Sequence, residues 1–171
     1  QFGLGLFSPR LDSRGNSVRG VRACRELSNR FELHLMNPAG RSMPVTYLAG
    51  SGIELRSDAE RPSDESALLQ REGDRIIVRG LQGDLTFACA AKVLQSFDGL
   101  PTGANGSPRW VVLDVHRVAR MHRAGVALLQ AMASDFAASG TIVVVVDGAD
   151  RDFLADARAF SSLNAALAWC E

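Results

Sequence analysis

The sequence predicts an α/β fold in which a mixed β-sheet is packed with α-helices, and three observations in its last hundred residues carry that reading. Trp110-Val111-Val112-Leu113-Asp114-Val115 and Thr141-Ile142-Val143-Val144-Val145-Val146 are nearly uninterrupted apolar runs of strand length. Such runs belong to strands buried on both faces. Between and before them lie two segments, about Thr86–Phe97 and Arg123–Ala138, whose apolar residues recur every three or four positions. That spacing gives a helix one buried stripe. The strict alternation of these segments predicts a parallel crossover from Trp110 to Val146, right-handed by the usual rule.

Each element follows from its own residues. Phe2-Gly3-Leu4-Gly5-Leu6-Phe7, closed by Ser8-Pro9, reads as a buried strand entering a turn. A strand has no independent stability, so its sheet partners are expected in sequence before Gln1, and the chain reads as the tail of a larger protein. Leu11 to Ser17 is turn chemistry that leads into a helix over about Val18–Arg30, with Val18, Val21, Cys24, Leu27 and Phe31 on one face. Asn16 or Ser17 caps it. The alternation Leu33-His34-Leu35-Met36 stops at Asn37-Pro38-Ala39-Gly40, a domain edge.

Residues 43–65 read as a linker, because Ser57 to Ser66 is polar, contains Pro62 and has no period; Val45-Thr46-Tyr47-Leu48 is the one stretch with strand character. Leu68-Leu69 and Arg75-Ile76-Ile77-Val78-Arg79 flank Glu72-Gly73-Asp74, a pattern expected of an antiparallel hairpin. Asp84 or Thr86 is positioned to cap the next helix. A Gly/Pro/Ser-rich loop spans Gly99–Pro108, Gly140 ends the helix before the second apolar strand, and a last helix capped near Ser161 or Ser162 carries Leu163, Ala166, Leu167 and Cys170.

Composition narrows the function. A content of 46% hydrophobic against 22% charged residues excludes wholesale disorder. With 19 basic and 19 acidic side chains, no bulk field recruits nucleic acid or an anionic membrane. No apolar run approaches the ~18 residues that span a bilayer. Cys24, Cys89 and Cys170 form no C-x-x-C pair and fall in apolar helical patterns, so they read as buried thiols of a reducing, cytoplasmic compartment.

The motifs are mostly negative. Gly15-Asn16-Ser17-Val18-Arg19-Gly20 approaches the G-x-S-x-G nucleophile elbow, but its last glycine is displaced and Ser17 sits where a helix cap already explains it. A serine activated by a lysine three residues later needs Ser-x-x-Lys on a helical turn. Lys92 is the chain's one lysine, and Cys89 stands in the serine's place. His34, His116 and His122 lack zinc-site spacing, and the glycines near residues 3–5 and 103–106 match no dinucleotide or phosphate loop, so neither metal nor cofactor is expected. The segment Met121-His122-Arg123-Ala124-Gly125 joins a strand to a helix N-terminus, where free amides favour anions, and is the candidate interaction loop. It holds no hydroxyl that phosphorylation could use.

Two stretches resemble known families. Ser8-Pro9, Leu11-Asp12, Gly15-Asn16-Ser17-Val18-Arg19-Gly20 and Cys24-x-x-Leu27-Ser28 resemble the C-terminal end of bacterial serine-dependent glutaminases, which have a β-lactamase-like fold. Leu81-Gln82-Gly83-Asp84-Leu85, Val111–Val115, the loop to Gly125 and Thr141–Val146 resemble the STAS domain of anti-sigma-factor antagonists and anion-transporter tails. The resemblance implies residues 1–42 as the closing strand and helix of a catalytic domain, 43–65 as a linker and 66–171 as a STAS-like domain. It also implies a parent enzyme hydrolysing L-glutamine to L-glutamate and ammonia, with its nucleophile upstream and none of its catalytic residues in this chain. The STAS-like part is then a regulatory module for a protein partner or for self-association. Antagonist domains carry Asp-Ser-Ser/Thr-Gly where this chain has His122-Arg123-Ala124-Gly125, so switching by serine phosphorylation is not expected at this loop. The competing expectation is a non-enzymatic, stand-alone STAS interaction module.

Overall fold

A computed structural model describes residues 4–6, 9–31, 45–100, 108–149, 153–154 and 157–171. The chain divides into two compact units, Gln1–Gly40 and Arg41–Glu171.

In the first unit the helix α1 spans Val18–Phe31. Its entry is built from side chains. The Asp12 carboxylate accepts hydrogen bonds from the Arg14 and Asn16 amides at 2.9 and 2.8 Å, which holds its carboxyl below the usual range through the Asn16 amide first. Gly15 turns the chain at φ +81°, and Ser17 Oγ accepts from the Gly20 amide at 3.0 Å. Ser17 is thus the cap expected, committed to a backbone donor. The apolar face predicted for this helix is not buried: Val18 and Val21 are exposed, as are Leu4, Leu6 and Leu11. Cys24 is exposed as well, against the expectation of a buried thiol. The other half of the predicted opening strand, and the alternation at 33–36 with His34, lie outside the described residues; residues 4–6 form no strand.

The second unit is a five-stranded sheet in the order β1-β2-β3-β4-β5, with β1 Thr46–Ser51, β2 Ile76–Leu85, β3 Trp110–Met121, β4 Ile142–Val146 and β5 Arg158–Phe160. The edge strand β1 runs antiparallel to β2, and all other pairs are parallel. The expected crossover is present: β3, the helix α4 (Arg123–Ala138) and β4 make a parallel unit registered Trp110↔Ile142 through Asp114↔Val146. Alternate residues of the apolar strands feed two cores. On one face Ile77, Leu81, Val111, Leu113, Val143 and Val145 pack with Ala90 and Val93 of α3 (Phe87–Gln95) and Leu129 and Met132 of α4. On the other, Ile76, Val78, Val112, Val144 and Val146 pack with Leu69 of α2 (Ser63–Glu72) and Ala166, Leu167 and Cys170 of α5 (Leu163–Cys170). Helices on both faces are why these strands carry no polar alternation.

Two expectations are overturned. There is no hairpin at Glu72-Gly73-Asp74: Leu68 and Leu69 belong to α2, whose first turn carries Asp64 and Glu65, and a 3-10 turn over Gly73–Arg75 leads into β2. Gly73 is there for close approach, since a Cβ on it would stand 3.0 Å from Gly52 carbonyl carbon and Ile53 nitrogen. The stretch read as linker is also structured. Thr46–Ser51 is a sheet strand paired with β2, and α2 begins at Ser63. A short edge strand takes its order from a partner some thirty residues on, a signal that local composition does not carry. The caps match the sequence: Thr86 Oγ1 accepts from the Cys89 amide at 3.3 Å, and Ser162 Oγ from the Ala165 amide at 3.2 Å.

Candidate functional site

Met121 is the last residue of β3, in register with Leu85, and the His122 amide donates to the Leu85 carbonyl at 3.1 Å. His122 then occupies the N-cap position of α4 in extended conformation, without a side-chain cap, while its carbonyl accepts from the Val126 amide at 3.0 Å. Arg123 is exposed, Ala124 half-buried and Gly125 buried. The glycine is required by packing. A Cβ at 125 would fall 2.9 Å from the Thr86 carbonyl oxygen and closer still to that of Leu85. The loop therefore sits where the ends of β2 and β3 and the N-terminus of α4 meet. On its rim the Arg120 guanidinium grips the Asp84 carboxylate at two points, 2.6 and 3.2 Å, a bidentate pair that ties the two strand ends together. The first turn of α4 holds no acidic residue.

A second cluster was not singled out from the sequence. The Asp114 carboxylate is buried and takes hydrogen bonds from the Tyr47 hydroxyl at 2.6 Å and the His116 amide at 3.1 Å. Its Oδ1 also lies 2.5 Å from His116 Nδ1. A carboxylate so placed orients the imidazole with an Nδ1 proton directed at Asp114. His116 is half-exposed, with 45% of its side chain open to solvent. Three strands build the cluster: Tyr47 from β1 crosses β2 over Gly80, where a Cβ would meet the phenol ring at 2.7 Å, and reaches Asp114 on β3. The Arg117 guanidinium lies 4.2 Å above the same ring. Burial first, then the hydrogen bond to Asp114 and its charge, raise the Tyr47 hydroxyl above the ordinary phenol range. Sequence reading treated His116 as one of three scattered histidines. Its partner Asp114 sits two residues away within an apolar strand, and a buried carboxylate amid such residues was the available signal.

Chemically, the arrangement offers one oriented imidazole and a loop at a helix N-terminus. It offers no serine-lysine pair. Lys92 lies on α3 with Cys89 one turn before it, and Cys89 is half-buried. Among the described residues no three His, Cys, Asp or Glu side chains form a cluster able to hold a metal. Nor is any helix among them long and apolar enough to cross a membrane.

The Glutaminase family profile matches residues 1–36. Glutaminase 1 of Bradyrhizobium diazoefficiens is 30% identical over 185 aligned residues, a match that takes in 100% of this chain and 29% of that protein. The glutaminase of Microcystis aeruginosa is 56% identical over 52 residues, 30% of this chain and 15% of its own length. The crystal structure of a protein called Mglu aligns with 84% of this chain and 30% of its own at 33% identity, with a TM-score of 0.44. The chain is thus related in sequence to bacterial glutaminases, and it spans less than a third of the length of these relatives.

Proposed function

We propose that this chain is the C-terminal part of a bacterial glutaminase, contributing the closing segment of the catalytic domain (residues 1–42) and a STAS-like regulatory domain that works in the cytoplasm and takes in β1 and the whole of α2 as well as residues 66–171. The observation that carries the reading is the relation to Glutaminase 1, which runs through both compact units of the chain. The match within residues 1–36 supports the assignment of the first unit, and the sheet order with its antiparallel edge strand suits the second. The whole enzyme's reaction is hydrolysis of the L-glutamine side-chain amide to L-glutamate and ammonia. A serine nucleophile with its activating lysine belongs upstream, because Lys92 has Cys89 where that serine would stand.

The role left to the described residues is regulatory. Met121, His122, Arg123, Ala124 and Gly125 form the docking loop for a protein partner or a second copy, with Arg123 as its exposed charge. The reading is tested by assaying the purified 171-residue chain with glutamine and sequencing the gene upstream of Gln1. The expected results are no ammonia release, and an open frame encoding Ser-x-x-Lys about 200–250 residues earlier, the length of a large single domain. Ammonia release by the chain itself, or an in-frame stop directly upstream, overturns it.

A further inference from the structure

The end of the sheet opposite the docking loop contains a cavity that the proposed function does not use. It has a volume of about 310 Å³ and lies between α2, α5 and the starts of β2 and β3. This is the lower end of the size range of ordinary small-molecule sites. The twelve-residue strand β3 runs from Trp110 at the cavity to Met121 at the loop, roughly 35 Å along an extended strand.

Its floor is apolar. Leu69, Ile76 and Cys170 line it, all buried residues of the second core, and Trp110 forms a wall in register with Ile76. Its rim balances three arginines, Arg61, Arg75 and Arg109, against three carboxylates, Glu65, Glu72 and Glu171, and the arginines are unequally paired. Arg75 and Arg109 emerge side by side, because the Arg109 amide donates to the Arg75 carbonyl at 2.9 Å where the two parallel strands begin. The Arg109 guanidinium lies 4.5 Å over the Trp110 ring, and among the described residues no carboxylate pairs with it. Arg75 shares the Glu72 carboxylate, 3.6 Å away, with Arg71 at 3.8 Å, and its buried Nε has no hydrogen-bond partner. The remaining cation, Arg61, is already spent: it holds Glu171 at 3.0 Å and Glu65 at 3.5 Å. Two forked donors with unused capacity therefore stand over an apolar floor. A buried donor without an acceptor is costly, and a planar carboxylate is the group that matches a guanidinium fork.

We propose that this cavity is a binding site for a small amphipathic carboxylate, its head between Arg75 and Arg109 and its apolar chain on Leu69, Ile76 and Trp110. The site is independent of the glutaminase reading, since it rests on residues of the second unit alone.

The test is a titration of the isotope-labelled 171-residue chain with sodium octanoate, followed by nuclear magnetic resonance, with octylamine and inorganic phosphate as parallel arms. The expected result is a saturable shift of the Trp110 indole N–H and of the amides of Leu69, Ile76 and Cys170. Octylamine and phosphate should give no saturation there. Arg109→Gln should weaken octanoate binding about tenfold, the loss of one charge-assisted interaction, and Arg75→Gln should do so independently. Arg109→Lys keeps the charge without the fork and should fall between, so the inference remains testable if one variant folds poorly. No saturation below ~10 mM octanoate, a concentration weaker than ordinary metabolite sites, would overturn the proposal. So would equal binding of octylamine, equal binding of phosphate, or folded arginine variants that bind as the parent does.

Discussion

Replacing Gly125 with alanine is the sharpest test of how the candidate loop is held. The new Cβ would stand 2.9 Å from the Thr86 carbonyl oxygen and nearer still to that of Leu85. Both obstacles are backbone atoms at the junction of β2 and α3, so no side chain can rotate out of the way. Ordinary van der Waals separation requires the N-terminus of α4 to retreat by about 1 Å. That retreat strains the His122 amide's bond to Leu85, now 3.1 Å, and loosens Leu129 and Met132 of α4 within the first core. Overpacking of this kind costs about 1–3 kcal/mol and a lost backbone hydrogen bond about 1 kcal/mol more. The better helix propensity of alanine returns at most ~1 kcal/mol. The net expectation is a destabilisation of roughly 2 kcal/mol. With a denaturant slope of about 2 kcal/mol per molar urea, the unfolding midpoint should fall by ~1 M. The assay is urea unfolding followed by the fluorescence of Trp110 and Trp169, the chain's two tryptophans, which both report on the second unit. Gly148→Ala is the control, since a Cβ there meets nothing within 4 Å. A midpoint for Gly125→Ala equal to or above that of the parent would refute the packing argument.

Two further outcomes follow from burial and charge. With Ellman's reagent at pH 8, Cys24 should react first, half-buried Cys89 more slowly, and Cys170 only on unfolding. Burial first, then the charge of Glu171, push the Cys170 thiol up to about 12, so both access and ionisation oppose its reaction; native-state labelling of all three thiols would contradict this order. Tyr47→Phe should cost about 1–3 kcal/mol at neutral pH by stripping a donor from buried Asp114. Because the Tyr47 hydroxyl is raised above its ordinary value of 10.0, its contribution is fully present below that pH and is lost as pH climbs beyond it. Parent and variant should therefore converge in stability above pH 10, and a constant gap in melting temperature up to pH 11 would exclude the assigned hydrogen bond.

What could be read in advance tracks how local each signal is. The helix Arg123–Ala138 is where the apolar stripe put it, and the caps at Ser17, Thr86 and Ser162 follow from one side chain and its neighbours three residues on. The strand β3 was recognised through Val115, but it continues to Met121 through His116-Arg117-Val118-Ala119-Arg120, polar enough to read as a loop. Those residues stay extended because β2 supplies their hydrogen bonds beyond the point where β4 stops. The linker and hairpin errors share that cause: α2 and β1 are stabilised by contacts with β2 and Gly52 that no window of ten residues contains. The Asp114–His116–Tyr47 cluster was hidden for the same reason, since Tyr47 arrives from 67 residues away. The candidate loop was legible as a position, whereas the need for Gly125 became visible only with Leu85 and Thr86 beside it.

The electrostatics of that loop permit a last prediction. An α-helix N-terminus carries the equivalent of about half a positive charge, so a phosphate there is stabilised and a cation opposed. On the STAS-like reading, this chain keeps the glycine that lets α4 close on β2 but places exposed Arg123, with no acidic residue, in the first turn. A cation held against the dipole without an ion pair among the described residues costs the fold something. Arg123→Glu should therefore raise stability by ~0.3–1 kcal/mol at low salt, with the gain shrinking as ionic strength rises and screening shortens. Urea midpoints of the parent and variant at low and high salt measure this. A loss of stability in the variant would show that Arg123 serves the fold. A salt-sensitive gain would mean that Arg123 stands against the stability of the domain, as the proposed docking role of the loop requires.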